Sequence, residues 1–282
     1  MFFSNICANI ANNFAKKKIM PLFSEIISEI ERVFPKRLQE SYDNSGVQVF
    51  SGFEEITGVL LTLDVTEEVV YEAINLNCNL IIAHHPIIFG HGMMKITPEN
   101  PVSRIIMLAI KNSISIYCAH TNADNMPNGT TFFMFSKLGI SNYEVLQKKL
   151  SENFPCGSGG IGELELEEDS YEFLKRVKNA FDCKVIRHTR IVKPKVKKIA
   201  VCSGSGSFLL KDAISCGADV FLSADFTYHK FFEADGKILV ADLGHFETET
   251  GIKNVFKFIL EKKFTNFAVN LSSINTNPIK YL

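Results

Sequence analysis

Residues 80–89 read Leu80-Ile81-Ile82-Ala83-His84-His85-Pro86-Ile87-Ile88-Phe89. The run Leu80 to Ala83 is short, rich in β-branched residues and unbroken by polar ones, the pattern of a strand buried on both faces. A buried strand has no packing reason to finish in two imidazoles. Pro86 lacks a backbone donor and stops the ladder, so His84 and His85 fall at the strand's C-terminal end. In open α/β sheets that end is where ligands bind, and imidazole is the commonest metal-binding side chain. Two core histidines satisfied by backbone carbonyls are the competing reading of the pair.

Upstream of this run, Gly58 to Leu63 is a second apolar strand followed by Asp64. Thr66 suits a helix N-cap and Glu67 and Glu68 suit a first turn, with the helix reaching about Asn77. This strand–helix–strand length fits a parallel pair. Pro21 to Phe34 shows apolar residues at helical spacing and ends at Pro35, and Ser41 to Val49 is a turn running into an extended segment. Downstream, Pro101 to Asn112 reads as a helix, Ser115 to Ala119 as a strand ending in His120, and Phe132 to Leu138 as a helix. Ser151 to Gly162, rich in Gly and Ser, is expected to be a linker or flexible loop. Ser170 to Ala180 is an amphipathic helix, and Lys184 to His188 reads as a short strand.

The second half then echoes the first. Ile199 to Cys202 is a strand, Phe208 to Ser215 a helix and Asp219 to Ala224 a strand. Val59 to Leu80 and Ile199 to Val220 are the same 21 positions apart (80 − 59; 220 − 199), so His84 and His85 align with Ala224 and Asp225. Lys237 to Ala241 is a strand, Glu247 to Lys262 a helix and Phe264 to Asn270 the last strand. The expected fold class is α/β: two similar lobes with mixed sheets flanked by helices and a metal cleft between them. Residues 1–19 are expected to be a disordered extension, or to precede a working start at Met20. Residues 20–140 form the first lobe, 141–165 a linker or loop, and 166–282 the second lobe, with its C-terminal helix packing back on the first.

Composition narrows the partners. Thirty basic residues balance 31 acidic ones with no basic stripe, so nucleic acid is not expected as the main partner. The local cluster Lys193 to Lys198 reads as a solvated turn before a strand. Apolar residues make up 46%, enough for a sizeable core, and no apolar run is long enough to cross a bilayer. The seven cysteines contain no Cys-x-x-Cys pair, and several lie inside apolar runs. They read as small buried hydrophobes in a reducing compartment, the cytoplasm, not as disulfides or zinc-binding thiolates.

His84, His85, His120 and His245 all fall at ends of expected strands. His120 and Asp124 are four apart, and a turn starting at His120 brings them together, although Asp124 also suits a plain turn residue. His245 and Glu249 are four apart and share a face if the helix begins near Phe246, whereas Glu247 rotates to the far side. Three or four imidazoles and two carboxylates exceed the three protein ligands of one catalytic zinc. They suit two ions roughly 3.5 Å apart, bridged by Glu249 and able to hold a hydroxide between them. Nitrogen and oxygen donors fit Zn, Fe, Mn, Co or Ni. His120, if not a ligand, is placed to shuttle protons, and His229 is a further residue that could reach the cleft. Ser203-Gly204-Ser205-Gly206-Ser207 reads as a tight strand-to-helix turn whose backbone donors could hold an anion.

Six stretches together resemble one family, the Nif-three-like proteins, also called GTP cyclohydrolase I type 2 homologs. They are Tyr42 to Val49 (YDNSGVQV), Leu63 to Thr66 (LDVT), Ala83 to Phe89 (AHHPIIF), Ala119 to Asn125 (AHTNADN), Ser203 to Ser207 (SGSGS) and Gly244 to Glu249 (GHFETE). The resemblance runs from about Met20 to the C-terminus, with Tyr42 where many members have Trp and Ser45 where Val is commoner. It implies a two-metal site on His84, His85, Asp124, His245 and Glu249 with His120 close by, and two α/β lobes flanking that site. It also implies a toroidal homohexamer with the metals facing an internal cavity. Longer members carry a mid-chain domain that this chain is too short to hold. The implied activity is a metal-dependent hydrolase acting on a small, nucleotide-like substrate. The alternative is a metal-stabilised ring that recruits partners without catalysis, with metal storage a weaker third.

Overall fold

The computed structural model describes residues 20–90, 95–149 and 152–282, so the expectation for residues 1–19 lies outside the described residues. Helix α1 (Phe23–Val33) opens the chain. Strands β1 (Gly46–Val49), β2 (Val59–Thr62), β3 (Leu80–Ala83) and β4 (Ser115–Cys118) follow, with helix α2 (Glu67–Asn75) joining β2 to β3 and α3 (Pro101–Lys111) joining β3 to β4. Thr66 caps α2 by accepting from the Val69 amide, and the Asn100 side chain caps α3. The first sheet has the order β1-β4-β3-β2-β11, where β11 is Val269–Leu271, and only β1 runs antiparallel to its neighbour.

Every residue of β2, β3 and β4 is buried, which is why these strands read as unbroken apolar runs. Alternate residues serve opposite layers. Val59 and Leu61 face α1 and helix α10 (Ile252–Lys263), whereas Leu60 and Ile81 face α2 and α3.

The second sheet, β5-β6-β8-β9-β10-β7, is built from β5 (Tyr143–Lys148), β6 (Gly157–Asp169), β7 (Arg187–His188), β8 (Lys195–Ser205), β9 (Val220–Ala224) and β10 (Leu239–Asp242). Helices α5 (Thr130–Leu138) and α6 (Ser170–Ala180) cover one face, while α7 (Leu210–Ser215) covers the other. Residues 141–165, expected as a linker, instead contain β5 and most of β6. The glycines there are sites of close approach: a Cβ at Gly157 would lie 2.0 Å from the Gln147 carbonyl oxygen, and one at Gly160 would lie 2.5 Å from the Phe135 ring.

The repeat is visible in the register. Val59 pairs with Leu80 and Ile199 with Val220, both in parallel. The orders β1-β4-β3-β2 and β7-β10-β9-β8 are the same topology, each with an antiparallel first strand on its outer side. The last part of the chain, however, returns to the first lobe. Helix α10 buries Ile252, Phe256 and Leu260 against α1, and β11 pairs with β2. The helix expected over Glu247 to Lys262 is broken into α9 (His245–Glu249) and α10. The Phe133 ring lies where a Cβ at Gly251 would be, 2.0 Å away, at that break.

Six cysteines among the described residues are free thiols, five of them buried. In the Lys193–Lys198 cluster, Lys193 pairs with Asp219, Lys195 with Glu167 and Lys197 with Glu163. No described helix is long and apolar enough to cross a membrane.

Candidate metal centre

The C-terminal ends of β3, β4, β8 and β10 converge on one cleft of about 810 Å³. From β3 come His84, fully buried, and His85. The amides of both still bond to the Leu63 carbonyl, so the two side chains diverge into the cleft mouth. His120 follows β4 and begins the single turn α4 (Thr121–Asp124), which brings Asp124 around. His245 and Glu249 occupy the two ends of α9, one turn apart. All six residues singled out in the sequence are therefore gathered. Three combinations, His84/His85/His120, His85/His245/Glu249 and His84/Asp124/Glu249, each offer donor atoms within 4.8 Å of one another.

Each imidazole is held by its Nδ1. His84 Nδ1 donates to the Ala119 carbonyl at 2.8 Å, while His85, His120 and His245 each engage a carboxylate at 2.7 Å, from Asp64, Asp43 and Asp225 respectively. This arrangement leaves Nε2 as the inward-facing atom of all four rings, the outer-shell pattern that orients metal-ligating histidines. The three aspartates were not singled out in the sequence. Asp43 also accepts from the hydroxyls of Ser45 and Thr121, and Asp64 from the hydroxyl of Thr276.

Glu249 stands at the centre. Its Oε2 lies 2.9 Å from both His85 Nε2 and His245 Nε2, and its Oε1 lies 3.9 Å from His84 Nε2. Burial works against its charge, but the hydrogen bonds from His245 and His85 hold its carboxyl well below the usual range. Burial likewise opposes the charge on those two imidazoles. Asp64 with Glu249 nevertheless raises His85 to about 9, and Asp225 with Glu249 raises His245 to about 11. His84 has no carboxylate on Nδ1, and burial drives it down to about 3. Its Nε2, 3.5 Å from Asp124, is the one buried side-chain polar atom without a hydrogen-bond partner among the described residues. Burial and then the Glu249 charge push Asp124 up, although the Thr130 hydroxyl donates to it at 2.8 Å.

This donor set fits metal ions. Neutral His84 presents a bare lone pair, a buried carboxylate faces three imidazoles, and Gly204 makes room for it. A Cβ at Gly204 would come within 2.1 Å of Glu249 Oε1, and its φ of +55° suits glycine. The Gly204 amide donates instead to Thr248 of α9, which makes the Ser203–Ser207 turn a support for α9. Glu247 is buried but turned away, accepting from the Asn277 amide. His229 does not join the cluster. It is exposed on α8 (Tyr228–Phe232), against Tyr228 and Phe232, because that helix turns outward after β9.

A family model described as Duf34/NIF3 (NGG1p interacting factor 3) matches residues 21–278. A "GTP cyclohydrolase 1 type 2 homolog" of Clostridium perfringens is 35% identical over 229 residues, covering 80% of this chain and 86% of that protein. A protein of the same description from Clostridium acetobutylicum is 32% identical and covers 91% of this chain and 97% of its own length. The crystal structure of a Bacillus cereus protein related to NIF3 superposes with a TM-score of 0.85 at 26% identity, covering 93% of this chain and 100% of that one.

Proposed function

The chain belongs to the Duf34/NIF3 family, and from that premise we propose that it is a dinuclear metal-binding protein acting as a metal-dependent hydrolase on a small, nucleotide-like substrate. We further propose that it works in the cytoplasm as a homohexameric ring. One observation carries the metal reading: a single buried carboxylate, Glu249, faces imidazoles from both lobes while His84 Nε2 is left without a partner. His85, His245 and Glu249 would hold one ion, and His84, Asp124 and Glu249 the other. Nitrogen and oxygen donors without thiolate suit Zn, Fe, Mn, Co or Ni.

A bound ion pair would supply Lewis acidity and acidify water. The rest falls to the chain's own groups. Asp43 fixes His120 through Nδ1, so Nε2 is the atom that accepts or returns a proton in the cleft. Asp64 and Asp225 hold the ligand rings in place. The names of the relatives favour hydrolysis of a nucleotide-like compound, and the open cleft beside His120 gives such a compound room.

The test is elemental analysis of protein purified under mild conditions, followed by screening of the loaded protein against nucleotides, phosphoesters and cyclic amides, with Asp124→Ala as the control. Close to two transition-metal ions per chain and turnover lost in the variant are expected. A metal content near zero ends the reading, and full metal without turnover of any class favours the scaffold alternative.

A further inference from the structure

The cleft beside the histidines carries three aromatic rings outside the core. Tyr42 and Phe89 come from the first lobe and Phe208 from the second, and they are 64%, 50% and 55% exposed. Rings of this size contribute most when covered, and exposed ones gathered in a concave site favour a ligand with an apolar face. Tyr42 meets Phe89 at 6.5 Å and 78°, and Phe89 meets His120 at 5.9 Å and 80°. These contacts are edge-to-face, so the rings brace one another without stacking, and the series ends on the proton-carrying imidazole. The hydroxyls of Tyr42 and Ser205, in the same walls, hydrogen-bond to no described residue. They remain available to the edge of a polar ring.

Charge decides what kind of ring fits. Among the described residues lining the cleft, the cationic imidazoles His85 and His245 are each tied to carboxylates at both ring nitrogens, Glu40 and Asp124 add further carboxyl groups, and there is no lysine or arginine. Lys149, near the rim, is engaged by Glu40 at 2.7 Å. A polyphosphate leaving the metal ligands would meet carboxylates and apolar rings, without the guanidinium or ammonium groups that recognise phosphate.

We infer that the cleft binds an uncharged planar heteroaromatic compound, of the free nucleobase or nucleoside class, on the Phe89–Tyr42 platform, its face on one ring and its edge against the other, and that nucleoside polyphosphates are disfavoured. The inference deepens the hydrolase reading and rests on it for the reaction, whereas the platform itself belongs to the chain with or without metal.

The probes are guanosine, ribose 5-phosphate and GTP, titrated by calorimetry into the full chain, both metal-free and Zn-loaded. Guanosine should bind at least as tightly as GTP, and ribose 5-phosphate should not compete with it. At least one of Phe89→Ala and Tyr42→Ala should weaken guanosine by about 5- to 150-fold, the range for loss of one base–aromatic stack. Both residues are exposed, so melting temperature and metal content should stay at wild-type values. GTP binding tenfold tighter than guanosine, competition by ribose 5-phosphate, guanosine binding unchanged in both variants, or no guanosine binding overturns the inference. Metal content is read separately on every sample. Metal-free purified protein that still holds guanosine on these rings counts against the hydrolase reading alone, and loaded protein that ignores guanosine counts against the platform alone.

Discussion

Glu249 ties side chains of the two lobes together, because His85 from one and His245 from the other approach the same carboxylate oxygen. Glu249→Ala should therefore abolish retention of both ions, whereas Glu247→Ala, which loses a hydrogen bond with Asn277 away from the imidazoles, should retain them; elemental analysis separates the two, and the reverse result would move the bridge. Gly204→Ala should act on the same carboxylate from behind, lowering metal content through the 2.1 Å clash with Glu249 while leaving the fold assembled by circular dichroism. Proton balance gives a third expectation. In the metal-free chain His85 and His245 stay charged at neutral pH, since their pKa values are raised to about 9 and about 11. Ions taking those Nε2 positions displace protons. Loading at pH 7 should therefore acidify a weakly buffered solution, and affinity should climb as the pH rises toward 9; a pH-indifferent titration would contradict it. In the metal-free fold the same raised values stabilise below about pH 6.5, the ordinary imidazole value, and that stability fades as the pH rises through 9 and above. The six gathered residues were legible because histidines at strand ends are conspicuous. Asp43, Asp64 and Asp225 were not, since an aspartate just before or after a strand reads as a turn residue. Asp43 meets its histidine only through pairing across 77 residues of sequence.

At the level of elements, what the sequence hid was the hairpin β5–β6 and the break between α9 and α10. Both turn on glycine. A Gly–Ser run reads as flexible, yet in β6 the glycines let the backbone approach Gln147, Phe135 and Thr131, contacts that depend on partners far along the chain. The periodic apolar face of Glu247 to Lys262 read as one helix because periodicity does not register a ring from α5 pressed against Gly251. Gly251→Ala should cost about 1–3 kcal/mol by overpacking, seen as a lower melting temperature, and pairing it with Phe133→Ala should recover part of the loss; full additivity would show that the two do not touch. The spacing of 21 residues in each half did survive translation into structure, as the matched pairs Val59–Leu80 and Ile199–Val220.

For the whole molecule, the two-lobed α/β arrangement was legible because buried parallel strands announce themselves as apolar runs, and the ligands from both lobes lie on facing strand ends. The ring assembly is a matter of solution mass: light scattering at micromolar concentration should give a value near six chains, and a clean monomer would refute it. The lobes are not consecutive pieces of chain, since β11 completes the first sheet beside β2 and α10 covers its core. During translation, then, the N-terminal half waits. Its sheet lacks an edge strand and its apolar face lacks a cover until residue 271 has left the ribosome, by which time His245 and Glu249 have also emerged. Closure of the first lobe and completion of the histidine–carboxylate cluster therefore depend on the same late stretch of chain, and the early histidines are not enclosed before Glu249 exists.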